Sequence, residues 1–259
     1  MLFPIGDDDR KLTRPAYVTT GLILTNLLVY FVFQQAGANM AFMYGWSVIP
    51  LEITTGIDLI EPVAVQVGGA LVQVPQAPGP SPIYLTILSA MFMHGGLMHL
   101  FSNLLYLWIF GDNVEHRFGG GVFLLFYLVS GVAATLAQVY LDPEGVVPNL
   151  GASGAISGVL GAYLVLFPRN RVYAIFMFFF VVSVPAVLAI GLWIVLQFID
   201  GWGAIMMSEQ TLGGIAYGAH IGGFFAGVLM ALVLRKVLRE EPEHVFVPYM
   251  EREGARRYW

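Results

Sequence analysis

The chain has no cysteine and very little charge. The missing cysteine excludes disulfides, thiol catalysis and cysteine-ligated metals. Charged residues are 11% of the 259, where a soluble domain carries roughly 25%. Hydrophobic residues make up 58%, and the mean hydropathy is +0.75. Such a chain is built for a bilayer. The net charge of -5 is spread over loops and tails with no basic patch, which argues against a nucleic-acid partner. No internal repeat and no second domain stand out. No small-residue cleavage site follows the first apolar segment, which therefore reads as a retained span rather than a signal peptide.

Six apolar segments are present, at about 16–34, 97–111, 121–141, 152–167, 172–198 and 212–234, each free of Lys, Arg, Asp and Glu. Most approach the ~20 residues that span a bilayer; the fourth is shorter. With six spans, all twelve basic residues fall on one side: Arg10, Lys11 and Arg14, then Arg117, then Arg169 and Arg171, then Arg235 onward. The positive-inside rule then places both termini in the cytoplasm. The expectation is an all-α membrane protein: an N-terminal cytoplasmic segment (1–15), a six-helix membrane domain (16–234) and a cytoplasmic tail (235–259). The long first outer connection contains two β-prone runs flanking Gly68-Gly69, which read as a hairpin over 63–74. Pro75, Pro78, Pro80 and Pro82 then keep the chain from becoming helical. Trp46 and the apolar run 83–92 suggest that part of this region lies in the bilayer interface.

Ionisable groups at membrane depth are costly and mark candidate sites. Here these are His99 in the second segment and His220 in the sixth, with His94 at the outer start of the second. Ser153 lies in the small-residue run Gly151-Ala152-Ser153-Gly154-Ala155-Ile156-Ser157-Gly158. Alone, such a run is also what glycine turns and helix contacts produce. Counted from the basic ends at ~1.5 Å per residue, however, Ser153 and His220 both lie roughly 22 Å up and His99 roughly 20 Å, so three helices place serine and two histidines in one layer. Ser153, Ser157 and Gly161 share a helix face, with Gly154 and Gly158 beside it; His220, Gly223 and Gly227 share another. If these stripes meet, Ser153 and His220 come within hydrogen-bond range.

His99 and Asn103, four residues apart, can both donate hydrogen bonds, and with the backbone N–H groups at the start of the Ser153 helix they would form an oxyanion site. No Asp or Glu lies in a span, so a Ser–His dyad is expected rather than a triad. Zinc on His94, His99 and His220 lacks a carboxylate or cysteine to complete the set. No metal or cofactor is expected.

Four motifs, in order, resemble those of the rhomboid family of intramembrane serine proteases: His99-Leu100-Phe101-Ser102-Asn103, Glu115-His116-Arg117, Gly151-Ala152-Ser153-Gly154, and Ala219-His220-Ile221-Gly222-Gly223-Phe224-Phe225-Ala226-Gly227. The resemblance implies Ser153 as nucleophile and His220 as base. His99, Asn103 and the Ser153 N–H would form the oxyanion hole, and Glu115 and Arg117, in the loop after the second span, would be structural. Some bacterial members carry a tyrosine four residues after the nucleophile, packed on the base. Here that residue is Ser157, with Tyr217 as a possible substitute. The implied substrates are single-span membrane proteins, and the implied location is a bacterial plasma membrane. Two other readings stand beside this one: a non-catalytic relative that binds membrane proteins, and a proton or ion transporter using the histidine layer.

Overall fold

The computed structural model describes residues 2–9, 12, 14–67, 69–177, 179–206 and 216–238. The chain opens with strand β1 (Leu2–Asp7), then helix α1 (Tyr17–Leu28), which runs on as a π-helical turn over Val29–Phe33. Gln35 and Ala36 take left-handed backbone angles (φ 50° and 55°), and the helix ends there. The following connection holds α2 (Met40–Trp46) and α3 (Pro50–Thr55), then the hairpin of β2 (Val63–Val67) and β3 (Ala70–Val74). Next comes α4 (Thr86–Ser89), set within a short helical stretch from Ile83 to Phe92, and then α5 (Leu97–Phe118) and α6 (Gly120–Leu141). Between these two 22-residue helices stands only Gly119, whose φ of 79° lets the chain reverse at once. The rest is α7 (Ser153–Leu166), β4 (Arg171–Phe176), β5 (Phe180–Pro185), α8 (Ala186–Met206) and α9 (Tyr217–Val237).

Each expected apolar segment contains a helix. Among the described residues α6 and α9 are long and apolar enough to cross a bilayer, and α5 joins them when counted with the Ile83–Phe92 stretch, from which it is bent by 77°. The other three are the shorter apolar helices Tyr17–Phe33, Ser153–Leu166 and Ala186–Gly201. At ~1.5 Å per residue α7 is about 21 Å long, short of a ~30 Å hydrocarbon core. The hairpin expected over 63–74 is present, with Val63 facing Val74.

The structure corrects the expected all-α class and the expected fifth span. β4 and β5 pair antiparallel, and the helix begins only at Ala186, so the segment expected over 172–198 is largely strand before that residue. The run is rich in Val, Ile and Phe, and apolarity alone does not separate a buried strand from a helix. Pro185 closes the strand, with the Ala186 and Val187 N–H groups donating to Asn170 and Pro168 carbonyls at 2.9 and 3.1 Å. α8 also runs past the expected end at 198 and carries Asp200, and α5 runs past 111 and carries Asp112 and Glu115, so carboxylates do lie in helices expected to have none. β1 adds to β4 as the outer strand of a three-stranded sheet, which suits its Pro4, a residue that cannot donate to a ladder.

That sheet lies at the end of the helices marked by Arg117, Arg169, Arg171 and Arg235 and is fastened to them by polar contacts. Tyr163 of α7 donates to Asp7, Asn113 of α5 donates to Asp7 and Asp9 at 2.9 and 3.0 Å, and Asn170 donates to Tyr163 at 2.6 Å. Glu115 and Arg117, expected in a loop, are on the last turns of α5. The Glu115 carboxylate accepts from the Val18 N–H (2.9 Å), the Thr19 N–H (2.7 Å) and the Thr19 hydroxyl (2.8 Å). A carboxylate at a helix start satisfies its free N–H groups and its positive dipole end, so Glu115 caps α1 from another helix. Arg117 donates to the Leu238 carbonyl at 3.4 Å. The expected tail lies outside the described residues from 239 on, as do Arg10, Lys11 and residues 212–215 of the sixth segment.

At the centre stands α7, with every residue from Gly154 to Tyr163 buried. Between membrane helices association depends on close packing, because lipid is as apolar as leucine. Small residues therefore line these contacts. A Cβ on Gly223 would overlap the Gly154 carbonyl oxygen, one on Gly227 the Gly158 carbonyl oxygen, and one on Gly161 the Phe224 carbonyl oxygen. On the other flank, Cβ atoms on Gly154 and Gly158 would strike Ala134 and Ser130 of α6. The touching face of α7 is thus Gly154 and Gly158, beside the serines, together with Gly161 of the serine stripe itself. Leu124, Leu125 and Val129 of α6 and Leu229 and Val233 of α9 point outward and exposed, as lipid-facing side chains do.

Candidate active site

Ser153 is the first residue of α7 and His220 lies in the first turn of α9. The glycine contacts bring these two helix starts together: a Cβ on Gly154, next to Ser153, would sit 3.8 Å from both the Cβ and the carbonyl oxygen of Ala219, next to His220. The residue before α7, Ala152, has no side chain that could cap its first N–H groups, and among the described residues no side-chain cap is seen there.

His99 approaches from α5. Gly151 has φ +135°, and a Cβ there would lie 3.0 Å from both Cε1 and Nε2 of His99 and 3.5 Å from the Ser153 Oγ. The first residue of the G-x-S-G motif must be glycine for two reasons, its backbone angle and the space the imidazole takes. The Gly95 N–H donates to His99 Nδ1 at 3.3 Å. In a neutral ring this puts the proton on Nε2, on the side that faces Gly151 and the serine. Asn103, 6% exposed, donates one amide hydrogen to the His99 carbonyl at 2.8 Å and keeps the second.

Behind His99 the support is rigid. Gln34, at the end of α1, accepts from the His94 N–H at 2.9 Å and donates to the His94 carbonyl at 2.8 Å. Both residues are fully buried. The His94 ring meets the His99 ring edge-on, with centroids 5.2 Å apart. The strand-like pairing of Val48 with Asn149, and the Gly151 N–H bond to the Ala90 carbonyl at 2.9 Å, hold the outer connection against the loop that leads into α7.

The His220 ring is held from α8. Its Nδ1 lies 2.6 Å from Gln197 Oε1, and its ring lies 6.0 Å from that of Trp193, tilted by 36°. Trp193 and Gln197 are four residues apart, hence on one face of α8. Ser157 instead donates to the Ser153 carbonyl of its own helix at 2.6 Å, so the aromatic surface comes from α8. Tyr217 packs over Gly201, its Cβ 2.9 Å from where a Gly201 Cβ would be. Gln197 and Trp193 were missed from sequence because only ionisable groups in the spans were weighed as partners for His220. The signal available was a lone amide in an otherwise apolar run.

Ser153 also borders a cavity of about 40 Å³, lined in part by Thr135, Gln138, Asn149 and Gly151. A water needs roughly 10–15 Å³ of such space and two or more polar partners, and this cavity offers both. The arrangement combines a hydroxyl, an imidazole on a touching helix, N–H donors and room for water. Glu115 and Arg117 lie at the opposite end of α5 and take no part in it.

The model of the Rhomboid domain matches residues 83–237, which include every residue of the candidate site except Gln34 and Val48. Among similar curated proteins are Rhomboid protein 1, mitochondrial, of Saccharomyces cerevisiae (31% identical over 161 residues, 61% of this chain and 44% of that one) and Rhomboid protease GluP of Bacillus subtilis (35% over 146 residues, 56% and 26%). RHOMBOID-like protein 5 of Arabidopsis thaliana is 30% identical over 165 residues, 63% of this chain and 48% of that one. The matched stretch spans less than half of each of these relatives.

Proposed function

Because this chain belongs to the rhomboid family and is thus an integral membrane protein, we propose that it is an intramembrane serine endopeptidase with Ser153 as nucleophile and His220 as general base. The observation that carries the reading is the backbone contact of α7 and α9, which sets the two helix starts bearing these residues against each other. In this reading Ser153 Oγ attacks the scissile carbonyl carbon while His220 Nε2 takes its proton. The tetrahedral oxyanion is held by the His99 Nε2–H, the second Asn103 amide hydrogen and the Ser153 N–H. Collapse breaks the C–N bond, and His220 returns the proton to the leaving amine. Water then adds to the acyl-serine with His220 again as base, releasing the new carboxyl end and restoring the hydroxyl.

Six spans with both termini in the cytoplasm put the Ser153 layer near the outer face, where water can enter above the short α7. The substrates are single-span membrane proteins, cut near the outer end of the span. A helix hides its carbonyls in hydrogen bonds, so cleavable segments carry Gly, Pro or small polar residues that let them unwind. A bacterial plasma membrane is the location this layout suits. The test is cleavage of a reporter membrane protein by the purified chain in liposomes. Ser153→Ala and His220→Ala are each expected to abolish cleavage while melting like the wild type. Wild-type cleavage by either variant refutes the assignment.

A further inference from the structure

A serine–histidine pair works only if the imidazole offers its lone pair to the hydroxyl, and a free imidazole does not choose between its two tautomers. The proton must sit on the far nitrogen, which requires an acceptor there; in triads a carboxylate fills that role. Here the far nitrogen, Nδ1, lies 2.6 Å from Gln197 Oε1. An amide oxygen can only accept, so this contact places the ring proton on Nδ1 and leaves Nε2 bare. Four residues earlier on α8, Trp193 covers the ring and also packs against Phe224, one turn along α9 from His220. One face of α8 thus supplies both a hydrogen-bond partner for the ring nitrogen and an aromatic surface against the ring.

Resting on the proposed Ser153–His220 dyad, we propose that Gln197 is the positioning residue of the base: its side-chain oxygen holds His220 in the tautomer and orientation that can take the serine proton. An amide suits this depth better than a carboxylate. An anion at membrane level carries a heavy desolvation cost, and a neutral acceptor fixes the tautomer without it. Among the described residues the other titratable groups toward this end of the helices include His94 just before α5 and His99 in its first turn, Tyr140 and Asp142 at the end of α6, Asp200 on α8 and Tyr217 on α9. The first two turns of α7 bring none.

The experiment compares the wild type with Gln197→Met, Gln197→Glu and Ser153→Ala, measuring kcat, KM and the pH profile of reporter cleavage in liposomes. Methionine keeps the length and removes the acceptor; glutamate keeps an acceptor and adds charge. Gln197→Met is expected to lower kcat by at least about 10- to 100-fold, the range for loss of the group that orients a metal-ligating histidine, with KM and melting temperature unchanged. Gln197→Glu is expected to keep cleavage within a few-fold, with the acid limb of the kcat profile moved to higher pH, because a carboxylate favours the imidazolium. Wild-type kcat and pH profile in Gln197→Met overturn the proposal, as does an equal loss of kcat in the methionine and glutamate variants. If the methionine variant does not fold, the glutamate variant alone decides: an unmoved acid limb overturns the proposal. Ser153→Ala separates the two levels. A dead Ser153→Ala with an unimpaired Gln197→Met refutes the role of Gln197 alone, whereas an active Ser153→Ala refutes the protease reading beneath it.

Discussion

Gly223→Ala tests the contact on which the proposed chemistry depends. The added methyl would overlap the Gly154 carbonyl oxygen and lie 3.0 Å from its carbon and 3.2 Å from the Ala134 Cβ. Two of these three neighbours are backbone, so no rotamer change relieves the clash. In a close-packed interior the helix itself must move, by on the order of 1 Å. Overpacking of this kind costs about 1–3 kcal/mol. His220 is one turn before Gly223 and Ser153 is next to Gly154, so the same withdrawal widens the gap between nucleophile and base. A misplacement of about 1 Å can cost roughly 100-fold in rate. Gly191→Ala is the control, because nothing lies within 4 Å of the new Cβ and α8 should gain up to about 1 kcal/mol of helix propensity. The assays are cleavage of a reporter span in liposomes and thermal unfolding in detergent. Gly223→Ala with wild-type cleavage and wild-type melting would show that the α7–α9 contact does not hold the site together.

Other outcomes follow from the basic end of the molecule. Glu115→Ala leaves the Val18 and Thr19 N–H groups without their partner, at about 1–3 kcal/mol for each buried donor left unpaired, and is expected to lower the melting temperature clearly; an unchanged melting curve would refute the capping role. Asp7 should make stability depend on pH. Burial raises its carboxyl from 3.8 to about 9, against the hydrogen bond from Tyr163 and with the neighbouring Asp9 adding to the rise. The folded state therefore holds a proton that the unfolded state releases, and stability falls as pH rises between about 4 and about 9. Asp7→Asn is expected to flatten that decline in melting temperature, and an equally steep decline in the variant would show that Asp7 is not its source.

Several features are legible in the sequence because they depend on the chain alone. Apolar length marked out the helices, and the basic residues grouped at one end of them. The hairpin over 63–74 followed from β-prone runs around Gly68-Gly69. Counting residues from the helix ends put Ser153, His220 and His99 at one level, and the start positions of α7, α9 and α5 agree. What the chain alone could not decide were matters of which surface lands on which. The stretch 171–185 is as apolar as a span, yet β4 pairs with β5 inside it and with Leu2–Asp7 beside it to make a sheet. That pairing slides α8 along the sequence and carries Asp200 into it. Glu115 caps a helix 96 residues away, a distance no local pattern reports. The sharpest case is Gln197, which in sequence is one amide in an apolar helix. It becomes the hydrogen-bond partner of His220 because α8 packs beside α9 in a single rotation, and that rotation is set by the packing of whole helices.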